Sequence, residues 1–117
     1  MMKYIVESMI AAACLIAAGS ASAVDMPPLA KRYACNACHA IEGKGVGPAW
    51  IEVSRTYKGI ATYTYRGKEY PLQEGLVMKV SKGGAGNWGT MPMPGNGTVV
   101  KEPEIRELVQ FILGLAK

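Results

Sequence analysis

The chain has 117 residues, 13 Lys and Arg against 9 Asp and Glu, three cysteines, one histidine and a net charge of +4 at pH 7. That length suits one small domain, three cysteines exclude a disulfide-dense scaffold, and scattered rather than clustered basic residues speak against nucleic acid as a partner. The mild positive excess favours acidic protein surfaces or anionic membrane surfaces over neutral ones.

Residues 1–23 read as a cleaved export signal. Lys3 supplies a positive charge, Met9 to Ala18 form an apolar run, and Ala21-Ser22-Ala23 is a small-residue cleavage site. The run is shorter than the roughly 20 apolar residues that a membrane helix needs. Cys14 follows Ala11-Ala12-Ala13 in the manner of a lipoprotein site, but the apolar run continues past it. Cleavage removes one base (Lys3) and one acid (Glu7), so the remaining domain, residues 24–117, keeps the same net charge. In a bacterium its destination is the periplasm, an oxidising compartment, with no stable membrane insertion once the signal is gone. A monomer is expected.

Pro27 and Pro28 suit the first turn of a helix, where a missing N–H costs nothing. Leu29 to Tyr33 extend it toward Ala37, so the helix is expected to run into Cys35-Asn36-Ala37-Cys38-His39. A Cys-x-x-Cys-His run reads as the attachment site of a c-type haem. Two thiols three positions apart can form thioethers along one porphyrin edge, and the adjacent His39 imidazole can then ligate the iron. Such a pair could instead be a disulfide, a thiol redox pair or half of a zinc site. Zinc would need further ligands, but Cys14 lies in the signal and His39 is the only histidine. No strand–motif–helix context supports a thioredoxin-like centre. After His39, Glu42 to Pro48 holds three glycines and a proline and must be a loop. Because a ligating histidine usually gives its second N–H to a backbone carbonyl, Pro48 is the expected acceptor.

Ala49 to Tyr57 is expected to be helical, with Trp50, Val53 and Tyr57 on one face and Gly59 as its stop. Ile60 to Tyr70 alternates Thr62-Tyr63-Thr64-Tyr65 around Arg66-Gly67-Lys68, the pattern of a small hairpin or an exposed aromatic loop. From Pro71 another helix is expected, burying Leu72, Leu76, Val77 and Val80, with Lys79 and Lys82 facing solvent and Gly83-Gly84 ending it. Gly75 weakens that helix.

Gly86 to Asn96 contains Met91-Pro92-Met93-Pro94, whose prolines enforce an extended, stiff backbone. A thioether on such a strap can serve as the sixth iron ligand, although methionine is also a common gap filler. Residue chemistry alone leaves Met91 and Met93 equal. The chain closes with a helix that has Pro103 in its first turn, Glu102 and Glu104 at its positive end, and Ile105, Leu108, Val109, Ile112 and Leu115 as its apolar face. A haem at the centre of the core would suit so small and glycine-rich a domain.

Taken together, Cys35-x-x-Cys38-His39, Val46-Gly47-Pro48-Ala49 and Trp88-Gly89-x-x-Pro92-Met93-Pro94 resemble the small class I bacterial cytochromes c of the c-551/c-552 type over essentially all of residues 24–117. The resemblance implies an all-α class I cytochrome c fold, three to five short helices and loops around one haem c bound covalently through Cys35 and Cys38. It implies His39 and Met93 as axial ligands, with Met91 a packing neighbour. It also implies that Pro48 receives the His39 N–H, that Trp88 lies by a haem propionate, and that Asn96 hydrogen-bonds near the Met93 sulfur. The last helix should cross the first near the haem motif. Two features depart from the family: extra residues around Thr62 to Tyr70, and a basic charge where several relatives are acidic. Both bear on the partner rather than on the haem.

The expected function is one-electron transfer between respiratory redox partners, with the basic charge suiting acidic docking surfaces and Lys44 and Lys82 as steering charges, and not enzymatic catalysis. The alternatives are a ligand-binding or peroxidase-like haem protein with a displaceable Met93, or a haem-binding subunit of a larger oxidoreductase docked through an exposed Tyr63, Tyr65 and Tyr70.

Overall fold

A computed structural model describes residues 24–117, so the export-signal reading of residues 1–23 lies outside the described residues. Helix α1 spans Pro28–Arg32, with Pro28 in its first turn as expected. It does not run on to Ala37. Ala34 adopts a left-handed conformation (φ 59°), and a separate 3-10 turn, Cys35–Ala37, follows. A left-handed residue cannot continue a right-handed helix, so the chain changes direction just before the first cysteine.

Helix α2 spans Trp50–Tyr57 and ends at Lys58 and Gly59, where φ is +76°. Strands β1 (Thr62–Tyr65) and β2 (Lys68–Pro71) form an antiparallel hairpin in which Tyr63 faces Tyr70 and Tyr65 faces Lys68. Arg66 and Gly67 both have positive φ, as a tight two-residue hairpin turn requires. Because side chains alternate along a strand, Thr62 and Thr64 point out while Tyr63 and Tyr65 point in, each only 5% exposed. Burial corrects the reading of these two tyrosines as an exposed interface; Tyr70 is half-buried.

Helix α3 spans Leu72–Lys82, and Gly83 terminates it with φ 78°. Its mid-helix Gly75 has a packing reason: a Cβ there would lie 2.8 Å from the Tyr63 Cβ, so glycine lets the hairpin lie against the helix. Helix α4 spans Glu102–Leu113, leaving Leu115 beyond its end.

Two apolar clusters hold these elements together. Tyr63, Tyr65, Leu76, Val77, Val100, Ile105 and Val109 join the hairpin to α3 and α4. Ala30, Trp50 and Leu108 join α1, α2 and α4, so the last helix meets the first as expected. The Tyr33 hydroxyl donates to Glu104 at 2.9 Å, linking the segment before the 3-10 turn to α4. Buried Ser54 donates to the Leu113 carbonyl at 3.0 Å and accepts from the Ala116 N–H at 2.9 Å, tying down the C-terminus. Among the described residues no helix is long and apolar enough to cross a membrane.

Candidate functional site

The 3-10 turn at Cys35–Ala37 bends the chain so that the N–H groups of Cys38 and His39 both point to the Cys35 carbonyl, at 3.2 and 3.0 Å. Cys35 and Cys38 therefore share one tight turn, and both line a cleft of about 270 Å³. Neither is in a disulfide. Cys35 is half-buried and Cys38 exposed; burial pushes the Cys35 thiol pKa up, with a backbone hydrogen bond partly opposing.

His39 enters the same cleft. Its Nδ1 lies 2.8 Å from the Pro48 carbonyl oxygen. A carbonyl only accepts, so Nδ1 carries a proton, and in the neutral ring Nε2 then has its lone pair for another partner. The glycine-rich loop returns against the ring: the Gly47 N–H bonds the Cys38 carbonyl at 2.8 Å, and a Cβ on Gly47 would lie 2.5 Å from the imidazole Cε1. Only glycine fits there. Trp50 backs the imidazole at a centroid distance of 5.9 Å.

The methionine strap forms another wall. Met93 and Gly84 exchange backbone hydrogen bonds in both directions, at 2.9 and 3.0 Å. Gly83 and Gly95 let the strap lie backbone to backbone on the end of α3; a Cβ on Gly95 would sit 2.9 Å from the Lys82 carbonyl oxygen. Met93 is half-buried, whereas Met91 is 66% exposed, although both line the cleft. The Asn96 side chain donates to the Val80 and Pro94 carbonyls at 3.3 and 3.1 Å, fixing the strap's far end. Trp88 stands at the cleft, 42% exposed. Beside it, burial pushes the Tyr57 phenol pKa up, and the Trp88 indole partly opposes this.

Lys79, like the two tyrosines of the hairpin, was misread from the sequence. Lys79 does not face solvent but lines the cleft, where burial lowers its pKa and the nearby Arg66 charge lowers it further. The signal was present: Lys79 lies three residues after Leu76 and seven after Leu72, on their helical face. Lys82 is exposed as expected. Tyr63, Leu108, Val109 and Ile112 also line the cleft. A large, flat, mostly apolar group bearing an iron fits this donor set: two thiols in one turn, an imidazole with a free Nε2, and a thioether on a fixed strap.

The Cytochrome c family model matches residues 17–116. A cytochrome c-551 of Allochromatium vinosum is 42% identical over 87 residues, which cover 74% of this chain and 82% of that protein. The Pseudomonas aeruginosa cytochrome c-551 is 36% identical over 113 residues, 97% of each chain. The crystal structure of wild-type Nitrosomonas europaea cytochrome c552 superposes with a TM-score of 0.63 at 33% identity, covering 74% of this chain and 95% of that one. Sequence match, fold and cleft therefore agree that the chain belongs to the cytochrome c family, as a class I c-type cytochrome with covalently bound haem c and a place in electron transport.

Proposed function

We propose that this protein is a periplasmic one-electron carrier in which Cys35 and Cys38 hold the haem, and His39 and Met93 are its axial ligands. Residues 24–117 form the working domain and residues 1–23 the export signal. When bound, the haem iron supplies an Fe(II)/Fe(III) couple whose potential is raised by Met/His ligation. The chain's own residues keep that couple simple. The Pro48 carbonyl fixes the His39 tautomer and ring plane. The pairing of Met93 with Gly84 holds the thioether in place, so neither ligand must move as charge changes. A haem held by both His39 and Met93 would offer no substrate site at its iron, which supports a carrier rather than an enzyme.

The observation that carries this reading is the convergence of His39, braced at 2.8 Å from Pro48, and Met93, paired with Gly84, on one cleft with both cysteines. Exposed Val46, Trp88 and Met91 lie along the same cleft and offer a small apolar contact for a passing partner. A transient interface of under about 1,200 Å² suits that task.

The test compares optical spectra of the parent, Met91→Ala and Met93→Ala proteins. The weak red-end band of a ferric His/Met haem should persist in the parent and Met91→Ala and vanish in Met93→Ala. Prompt, tight binding of carbon monoxide to the reduced parent would instead mark an open site and a ligand-binding haem protein.

A further inference from the structure

The inward side chains of the hairpin β1–β2 reach the segment that carries the methionine strap. Buried Tyr65 donates its hydroxyl to the Gly83 carbonyl at 2.6 Å, inside the protein. Gly83 is the residue before Gly84, and Gly84 is paired in both directions with Met93. Buried Tyr63 donates to the Asn87 Oδ1 at 2.8 Å, on the same loop. Asn87 lies within a turn closed by the Gly86 N–H on the Gly89 carbonyl at 2.9 Å. From the other side, the strap is fastened to α3 by the N–H groups of Asn96 and Gly97, which bond the Val80 and Ser81 carbonyls at 3.0 and 2.9 Å. Residues 83–97 are thus held to α3 at both ends, by the Gly83 N–H on the Lys79 carbonyl at 2.8 Å and by Asn96 and Gly97, with two tyrosine hydroxyls added on the Gly83 side.

We propose that the hairpin is a clamp on the methionine strap, and that Tyr65, assisted by Tyr63, is a positioning residue that slows release of the Met93 sulfur from the iron. The inference rests on the reading of Met93 as the sulfur ligand. Moving the strap far enough to draw that sulfur away shifts the Gly84–Met93 pairing, and Gly83 is the hinge about which Gly84 would swing. A hydroxyl bonded to the Gly83 carbonyl resists that swing. Removing it leaves a buried carbonyl without its partner, which weakens the closed strap rather than the ligand itself.

The experiment uses the ferric holoprotein and measures how fast added imidazole replaces the methionine, together with the temperature at which the red-end band is lost. Tyr65→Phe keeps the ring and removes only the hydroxyl; it should raise the replacement rate roughly fivefold, the factor set by one net hydrogen bond, and lower the band-loss temperature. Tyr63→Phe should act in the same direction and less strongly. Ser54→Ala serves as the control, because it removes a buried hydroxyl that bonds the chain's C-terminus instead of the strap. It should lower global stability and leave the replacement rate unchanged. Equal rates in Tyr65→Phe and the parent, or an equal rise in Ser54→Ala, would overturn the clamp. If Met93→Ala left both the spectrum and the imidazole rate of the parent intact, the ligand reading would fall and the clamp with it.

Discussion

At Gly47 a single methyl group decides whether the His39 ring keeps its place. A Cβ there would approach Cε1, Nδ1 and Nε2 at 2.5, 2.8 and 3.0 Å. The ring cannot retreat without stretching its 2.8 Å contact to Pro48. Gly47→Ala should therefore cost about 1–3 kcal/mol, as overpacking does, and perturb the visible spectrum; denaturant titration and absorbance check both. Ala34 works in the opposite sense. It holds φ 59° in front of the 3-10 turn, a conformation that costs a side chain roughly 1–2 kcal/mol. Ala34→Gly relieves that strain but adds freedom to the unfolded chain, so a net gain of about 0.5–1 kcal/mol is expected in the same titration.

At the scale of elements, the hairpin carries a pH signature. Burial pushes the Tyr63 phenol pKa up to about 12 from 10.0, with the charges of Tyr57 and Tyr65 adding to the shift. The folded state thus holds the proton more tightly than the unfolded one. Stability from this group is complete below pH 10 and is lost as pH rises from there through about 12, since the unfolded phenol ionises first. In Tyr63→Phe the decline of stability across that window should be shallower, which denaturant titrations at stepped pH will measure. The Ser54 hydroxyl anchors the end of α4 in a fully buried position. Its loss in Ser54→Ala leaves two backbone groups wanting partners and should cost about 1–3 kcal/mol. The Arg106–Glu74 pair between α4 and α3 looks similar on paper, at 2.5 and 3.1 Å. Glu74 is exposed, however, and such pairs contribute little.

For the whole molecule, the net charge of +4 makes encounter with an acidic redox partner faster than with a neutral one. Stopped-flow electron transfer to an acidic protein should slow as ionic strength rises toward and beyond the physiological range, where the screening length falls to about 8 Å. A rate that did not respond to salt would remove electrostatic steering from the account. Lys82 and Lys44 remain exposed and available for such steering, whereas Lys79 is drawn into the cleft.

The haem motif, the loop after it, the methionine strap and the four helices among the described residues were legible in the residues, because each rests on local chemistry: thiol spacing, proline and glycine stops, and helical periodicity. Local chemistry left a small hairpin and an exposed aromatic loop as alternatives for Ile60 to Tyr70, and it could not say which way the tyrosines faced. That was decided by α3, whose Gly75 leaves room for the Tyr63 ring and whose terminal Gly83 offers Tyr65 a carbonyl. Likewise, equal chemistry at Met91 and Met93 became unequal burial only when the strap was pressed onto the end of a helix. Sequence alone determined which donor atoms this protein owns, since spacing along a chain is a covalent fact. Tertiary structure decided how firmly they are held, since that depends on contacts between segments far apart in the chain, whose partners no local pattern names.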